Sequence, residues 1–206
     1  MVKKILKKRK LPTIQSFIDA QKYAERLGAD IMDTLPDEIT EEVAEDTLIP
    51  MLSDASKKVI RAAMLAQSIT DKNAGVGLAA LSPEFNARLV AELIADEIAE
   101  GAQTRSLIDK NLIGIVDDTV RINAEAREEL GLKTHVIRTY SDVGLRNGTK
   151  YSEDCEWCLS RCGEWDSIED AKRDGCFERH PGCLCEIDYY YEKTGTSDYF
   201  RGFNRL

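Results

Sequence analysis

Residues 155–185 read CEWCLSRCGEWDSIEDAKRDGCFERHPGCLC and contain all six cysteines of this 206-residue chain. Cys155 and Cys158 form a CxxC pair, and a HxxCxC run follows at His180, Cys183 and Cys185. A CxxC pair can bind one metal ion from a single tight turn, and a second run can supply the remaining ligands of a tetrahedral zinc site. The segment therefore predicts a subdomain that is held together by a zinc ion.

The segment offers more ligands than one zinc ion takes, because a structural zinc site has four. The spacing makes the first CxxC pair and the histidine the leading ligands, and it leaves Cys183 and Cys185 as competitors for the fourth position. Cys162 and Cys176 are then neighbours of the site or a separate pair. The candidate ligands, in chain order, are Cys155, Cys158, His180, Cys183 and Cys185.

A disulfide framework is the alternative use of six cysteines, and it requires an oxidising compartment. The basic start of the chain, Lys3–Lys10, is followed by Leu11-Pro12 and polar residues rather than by the apolar stretch of a secretory signal. We therefore expect synthesis in a reducing interior, where cysteines stay reduced. That expectation favours zinc over disulfides.

The composition is that of a globular protein, with 43% hydrophobic and 32% charged residues and no apolar run long enough to cross a bilayer. We expect no membrane partner. The net charge is −9, yet six of the 28 lysines and arginines lie within residues 1–10. Residues 1–11 are therefore predicted to form a flexible basic tail that can attract DNA or an acidic protein surface, whereas the acidic remainder would repel DNA.

Residues 12–131 are predicted to form a helical domain, because apolar residues return every three or four positions. Pro36 and Pro50 are expected to interrupt the pattern, with a short acidic helix over Asp37–Leu48 and another helix over Ser53–Ile69. The first helix is entered through Pro12-Thr13. Its apolar stripe consists of Phe17, Ala20, Ala24, Leu27 and Ile31.

Two further helices are predicted in the second half of this domain. After a break at Gly75-Val76-Gly77, Ser82-Pro83 resembles a helix start and Gly101 a helix end. The inward side chains of this helix are predicted to be Phe85, Leu89, Leu93 and Ile94. The longest helix covers Ile108–Leu130, and its seam consists of Ile108, Leu112, Ile115, Thr119, Ile122 and Ala126.

The period of the pattern changes after Gly131. His135–Tyr140 and Cys185–Tyr191 are predicted strands on either side of the cysteine segment, and Asn147-Gly148 is a strong turn signal between them. The predicted fold is therefore mainly α. It consists of a helical body with a small C-terminal α+β zinc knuckle over residues 132–206.

Common catalytic patterns are not present in the sequence. His135 and His180 are the only histidines, so the HExxH helix of a metalloprotease cannot occur, and the spacing after Cys155-Glu156 is wrong for a zinc deaminase. Gly75-Val76-Gly77 lacks the third glycine of a dinucleotide loop. Asp117-Asp118 is interpreted as a solvated carboxylate beside one buried polar contact, since adjacent helix residues point to different faces.

Several segments together resemble the minor capsid or minor head proteins of tailed bacteriophages, which are akin to phage head morphogenesis proteins. The resemblance spans about residues 75–206, and residues 1–70 share only helical character with that family. The matching pieces stand in family order: Gly75-Val76-Gly77-Leu78, Pro83-Glu84-Phe85-Asn86, Val116-Asp117-Asp118-Thr119-Val120-Arg121-Ile122-Asn123-Ala124, Gly131-Leu132, Val136-Ile137-Arg138, Cys155-Glu156-Trp157-Cys158, Gly163, Arg179-His180, Cys183-Leu184-Cys185 and Ile187-Asp188-Tyr189.

The resemblance implies a structural virion protein of low copy number in the phage head, with the portal or the major capsid protein as partner. It implies that the five candidate ligands belong to the knuckle of the family. It also implies structural roles in the helical part for Pro83, Asn86, Asp117, Asp118, Arg121 and Asn123. Cys162 departs from the family pattern, which has a small residue before Gly163, and Cys176 departs from it as well.

Two other functions remain open at this point. The first is a zinc-dependent hydrolase or toxin-like effector delivered with the phage genome, which needs an open metal position and a general base. Glu156, Glu178 and His135 are the candidates for that base. The second is a DNA-binding accessory protein that uses the basic tail on packaged DNA.

Overall fold

The computed structural model describes residues 11–36, 38–99, 101, 103–140, 145–146, 149–150 and 155–192. The basic tail over residues 1–10 lies outside the described residues, as do residues 193–206. The predicted fold class is confirmed, since the described chain is mainly helical and carries a small antiparallel sheet in its C-terminal region. Among the helices described, none combines the length and hydropathy that a membrane span requires.

The elements follow one another in a simple order of helices first and mixed elements second. The helical part consists of α1 (Phe17–Met32), α2 (Glu41–Val43), a π-helical turn (Ala44–Leu48), α3 (Ile49–Ala74), α4 (Ala87–Ala99) and α5 (Thr104–Glu129). The C-terminal part consists of β1 (Thr134–Thr139), β2 (Leu145–Arg146), β3 (Thr149–Lys150), α6 (Glu156–Leu159), β4 (Gly163–Trp165), α7 (Ile168–Arg173) and β5 (Glu186–Tyr191).

Helix α1 confirms its predicted apolar stripe, because all five stripe residues are buried. The helix begins at Phe17, after Pro12-Thr13, because the Ser16 hydroxyl accepts a hydrogen bond from the backbone N–H of Asp19. This N-cap satisfies one of the backbone donors that the first helical turn leaves unpaired. The buried stripe then packs against α3 and α5.

The predicted break at Pro50 is wrong. The chain is helical from Glu41 through the π-helical turn into α3, with Pro50 in the first turn of α3. Proline cannot donate a backbone hydrogen bond and its ring crowds the preceding turn. The wider π-helical turn lies just before it, with Ile49 N–H bonded to the carbonyl of Ala44, and such a turn reroutes the hydrogen bonds around the proline. Asp37 lies outside the described residues.

Two predictions for α4 are also wrong. The helix is capped by Asn86, whose side chain accepts from Leu89 N–H, and not by Ser82. Leu89 and Leu93 are 51% and 47% exposed, whereas Ala91 and Ile94 face the core. The prediction for Ile94 is therefore confirmed, whereas the sequence pattern did not identify the small Ala91 as its buried neighbour.

The seam of α5 is confirmed in its first half and shifts in its second half. The first four residues of the seam, from Ile108 to Thr119, are buried, but its last two residues, Ile122 and Ala126, are only half-buried. A straight helix has 3.6 residues per turn, so a repeat of seven drifts around its surface. The buried line continues instead through Val116, Val120, Asn123, Ala124 and Arg127.

The sheet has the order β4-β1-β5, and both pairings are antiparallel. The two longer strands confirm the sequence prediction, with Val136 opposite Tyr189. β4 was not predicted, because three residues are too few for a periodic signal. Asn147-Gly148 lies outside the described residues, although β2 and β3 on either side pair with each other.

One hydrophobic core includes both the helices and the inner face of the sheet. Val136, Ile187 and Tyr189 belong to the same buried cluster as the side chains of α1, α3 and α5. The rings of Phe17 and Tyr189 lie 6.0 Å apart between centroids. A second, smaller cluster contains the buried thiols Cys158, Cys183 and Cys185. The sheet therefore lies on the helical body, with the thiols in a separate cluster.

A buried ion pair joins α3 to α5 beneath the sheet. Arg127 Nη2 donates to Asp71 Oδ2 at 2.8 Å, and both side chains are 2% exposed. The Asp71 carboxylate also accepts hydrogen bonds from Gln67 on its own helix and from the Tyr191 hydroxyl on β5. Burial raises the pKa of Tyr191 to about 12, so this hydroxyl keeps its proton and remains a donor.

Candidate metal centre

The CxxC pair is positioned by the short helix α6. Cys155 is its N-cap residue, and the backbone N–H of Leu159 donates to the carbonyl of Cys155 at 2.9 Å. Residues three apart lie on the same face of a helix. One helical turn therefore places the thiols of Cys155 and Cys158 side by side.

The second pair is positioned by a type II β-turn over His180, Pro181, Gly182 and Cys183. The N–H of Cys183 donates to the carbonyl of His180 at 3.1 Å, and Gly182 has a φ of 81°. Proline fixes the second position of such a turn, and the positive φ of the third position favours glycine. The sequence HPGC thus brings an imidazole and a thiol to the two ends of one turn.

The structure brings all five predicted ligands into two overlapping groups. Cys158 Sγ lies 3.0 Å from His180 Nε2 and 3.7 Å from Cys183 Sγ, and Cys155 Sγ lies 3.4 Å from His180 Nε2. Within each group the ligand atoms all lie within 4.8 Å of one another, and the groups are Cys155, Cys158 and His180, and Cys158, Cys183 and Cys185. The cluster could therefore hold a metal ion, with Cys158 common to both groups.

His180 is oriented for metal binding through one nitrogen. Its Nδ1 lies 2.7 Å from the carbonyl oxygen of Pro181, which can only accept a hydrogen bond. The proton of the neutral ring is therefore on Nδ1, and the lone pair of Nε2 points toward the thiols. The Trp157 ring packs edge-on against the imidazole, at 5.0 Å between centroids, and covers one side of the site.

Cys162 and Cys176 lie outside both ligand groups. Cys162 is half-buried and packs against the thiol cluster, whereas Cys176 is fully buried in the main hydrophobic core. Burial raises the pKa of the Cys176 thiol to about 12, so this thiol stays protonated. Cys176 is therefore a core side chain.

The three buried thiols of the cluster shift one another's pKa values in different directions. Burial, and next the neighbouring Cys183, raise the pKa of Cys158 to about 12. A hydrogen bond with Cys185, followed by burial, raises the pKa of Cys183, and the same hydrogen bond lowers the pKa of Cys185. Metal ions bind thiolates, so binding here would release protons.

Two buried arginines border the sulfurs, and sequence reasoning missed both. Arg138, on β1, is 1% exposed and its Nη2 lies 3.4 Å from Cys183 Sγ. Its Nη1 donates to the carbonyls of Cys176 and Glu178 at 2.6 and 2.7 Å. Among the residues that the structure describes, no carboxylate contacts Arg138. The neighbouring groups that can become negatively charged are therefore the cysteine thiols, as thiolates.

Arg179, the second arginine, is paired with a carboxylate of the helical body. Its Nε and Nη2 both donate to Asp117 on α5, and the Nη2 to Oδ1 distance is 2.9 Å. Asp117 lies on the buried face of α5, one turn after Ile113 and one turn before Val120. A carboxylate on the buried face of a helix needs a buried cation. The position of Asp117 in the helical pattern was therefore the sequence signal from which a buried partner such as Arg179 could have been expected. Asp118 lies at the surface, where it pairs with Arg121. The interpretation of one solvated carboxylate beside one buried polar contact is therefore confirmed.

The three candidates for a general base make other contacts. Glu178 pairs with Arg161 at 3.0 Å, and Glu156 is exposed in the first turn of α6. His135 stacks on Tyr190 of β5, at 4.9 Å between ring centroids, and its Nδ1 lies 3.0 Å from Asp166. His135 therefore belongs to the sheet, where its neighbours are a tyrosine ring and carboxylates.

Comparisons with known proteins found no similar family. No protein-family model, no curated protein and no solved structure matches this chain.

Proposed function

We propose that the Cys/His cluster binds one zinc ion and that the bound ion has a structural role. The observation that carries the proposal is the meeting of two ligand pairs from distant turns, the CxxC turn of α6 and the HPGC turn, around Cys158. Sulfur-rich donor sets with one imidazole suit zinc better than hard cations. The proposed ligands are Cys155, Cys158, His180 and Cys183.

Charge balance supports three thiolates and one imidazole in preference to four thiolates. Among the described residues at the sulfurs, Arg138 and Arg179 are cationic and Asp117 is anionic, which leaves one net positive charge. A zinc ion with three thiolates and a neutral imidazole carries one net negative charge, so the sum is zero. Four thiolates would leave a buried excess of negative charge, which is costly.

We propose Cys183 as the fourth ligand because its distance from Cys158 suits a shared zinc ion. Its Sγ lies 3.7 Å from Cys158 Sγ, and two sulfurs on one tetrahedral zinc ion are about 3.8 Å apart when each Zn–S bond is about 2.3 Å. Its Sγ also lies 3.4 Å from Arg138 Nη2 and 3.6 Å from Arg179 Nη1. Cys185 is then the neighbouring thiol outside the set.

The bound ion would hold the two turns together where apolar burial is small. The cluster contains three buried thiols, and its half-buried partners are Tyr140, Cys155, Trp157 and Cys162. Structural zinc sites in small peptides contribute about 10–16 kcal/mol of folding free energy. Zinc would thereby order a segment that has little hydrophobic core of its own.

At the level of the whole protein, we propose a structural minor head protein of a tailed phage or prophage, located in the virion. The support is the order of the sequence motifs, together with a helical body that is joined to a metal-binding segment. The expected partner is the portal or the major capsid protein, and packaged DNA is the expected partner of the basic tail. Residues 1–10 of that tail are outside the described residues.

The metal proposal is tested on the purified chain by elemental analysis and by substitution with cobalt. We expect one zinc per chain and a cobalt spectrum of a tetrahedral site with three sulfurs and one nitrogen. Cys183→Ser should lose the metal, while Cys185→Ser should keep it. A spectrum with an exchangeable water ligand would contradict a closed structural site and would support the hydrolase.

The virion proposal is tested separately, by peptide mass spectrometry of purified phage particles from the source of the chain. We expect the protein at low copy relative to the major capsid protein. Its absence from particles that contain the other structural proteins would reject a minor head role without affecting the zinc site.

A further inference from the structure

We infer that Asp117, on α5 of the helical body, is a positioning residue for the metal centre and controls its affinity through Arg179. The inference rests on the proposed zinc site and extends it to a residue that contacts no candidate ligand atom. It starts from the pairing of Asp117 with Arg179, in which the side chains are each 3% exposed. Two nitrogens of the guanidinium donate to the two carboxylate oxygens, which fixes the plane of the arginine side chain.

The oriented guanidinium then holds the loop that carries the ligands. Its Nη2 donates to the carbonyl oxygen of Cys185 at 2.8 Å, and its Nη1 lies 3.4 Å from the carbonyl oxygen of Cys183 and 3.6 Å from Cys183 Sγ. Arg179 also directly precedes His180 in the chain. One side chain therefore contacts both cysteines of the HxxCxC run and belongs to the residue that precedes its histidine. Its orientation constrains where Cys183 and His180 can meet Cys158.

Asp117 is itself held in place by a second helix. Gln21 of α1 donates through Nε2 to Asp117 Oδ1 at 3.2 Å, in a buried position. The Asp117 carboxylate on α5 is thus also held by α1, independently of its contact with Arg179. Residues that orient metal ligands without binding the metal commonly change affinity by about 10- to 100-fold when they are replaced.

The neighbouring residue provides a matched control. Asp118 is the next residue on the same helix, but its side chain is 49% exposed and pairs with Arg121 at the surface. Asp117→Asn and Asp118→Asn remove the same charge from adjacent positions. Only the first substitution removes the anchor of Arg179.

The experiment measures zinc affinity by competition with a chromophoric chelator, using the full chain and confirming its helical content by circular dichroism. We expect Asp117→Asn to weaken zinc binding by about 10- to 100-fold, with a changed cobalt spectrum, and Asp118→Asn to leave both unchanged. Asp71→Asn, which destabilises the body at a distance from the sulfurs, should leave the cobalt spectrum unchanged. Equal affinity and equal spectra for Asp117→Asn and Asp118→Asn would overturn the inference.

Two further variants keep the test decisive. If Asp117→Asn does not fold, Arg179→Lys keeps the positive charge but loses the two parallel hydrogen bonds, and it should show the same loss of affinity. Gln21→Ala should show a smaller loss in the same direction, and wild-type affinity in both variants would overturn the inference. A wild-type chain that binds no zinc would instead reject the proposed function itself, so the two failures can be distinguished.

Discussion

The helical body and the thiol cluster are stabilised in different ways. The body buries side chains such as Phe17, Leu52 and Leu112 completely, in a core shared by three long helices and the sheet. The thiol cluster buries three cysteines beside two arginines. Apolar burial is the main source of stability in the first region. In the second region we propose that a bound metal ion, with thiolate ligands, balances the buried arginines. The comparison teaches that one chain can combine a region stabilised by apolar burial with a second region that we propose to be stabilised by a bound ion.

The two regions are nevertheless joined by continuous elements. Strand β1 places Val136 in the main core and Arg138, two residues later, against the thiols. Helix α5 contributes both to the core and, through Asp117, to Arg179. Loss of the metal should therefore destabilise the thiol cluster first and then β1 and α5.

The largest expected effect is that of Cys158→Ser, because Cys158 belongs to both ligand groups. We expect loss of zinc binding and loss of amide protection over residues 155–162 and 179–185 in hydrogen exchange, while helices α1, α3, α4 and α5 stay protected. Chelation of the wild-type protein should produce the same pattern. Protection that is unchanged after complete removal of the metal would show that the cluster is stable without an ion.

Cys162→Ser is the matched control for that experiment. Cys162 packs beside the cluster but belongs to neither ligand group. The variant should retain one zinc per chain and wild-type amide protection. Loss of zinc in this variant would require a different ligand set.

The next effect concerns the body, where Asp71→Asn leaves Arg127 buried without its carboxylate. Removing one partner of a buried ion pair typically costs about 3–5 kcal/mol. We expect a loss of this size in the free energy of unfolding, measured with denaturant, because Asp71 and Arg127 are each 2% exposed. A change below about 1 kcal/mol would show that the pair is not important for stability.

A smaller pair of effects compares the cap of a long body helix with the cap of α7, which lies in the chain between the two ligand turns and packs on the main core. Ser16 caps α1 and Ser167 caps α7, each by accepting from the backbone N–H three residues later. Replacing such a cap by alanine costs about 1 kcal/mol. We expect Ser16→Ala to lower the unfolding free energy of the body and Ser167→Ala to reduce amide protection mainly around α7. A body-wide loss from Ser167→Ala would mean that α7 unfolds together with the long helices.

The smallest effect is expected for Leu93→Ala on α4. Its side chain is 47% exposed, so truncation removes little buried surface and should change the unfolding free energy by less than about 0.5 kcal/mol. Ile94→Ala, one position on, is the buried counterpart and should cost about 2–5 kcal/mol. Similar losses for both variants would contradict the observed orientation of α4.

Local patterns predicted most elements of the fold. The stripe of α1, the break at Gly75 and the strands around the cysteines could all be predicted, because they depend on residues close in sequence. The five candidate ligands could be predicted for the same reason, since CxxC and HxxCxC are short local motifs. The break at Pro50 was mispredicted because a π-helical turn accommodates the proline within a continuous helix. The inward positions of Leu89 and Leu93 were mispredicted because the packing of α4 on the body determines which of its residues are buried.

The sequence by itself determined a mainly helical chain and the set of side chains that can bind a metal ion, because turn geometry and periodicity act over a few residues. The tertiary structure alone decided that Cys158 is shared by both ligand groups, that Arg138 and Arg179 border the sulfurs, and that Asp117 anchors the loop from 62 residues away. Such contacts depend on packing between distant segments. A charged side chain needs an oppositely charged partner only where it is buried, and both its burial and its partner depend on how distant segments pack together.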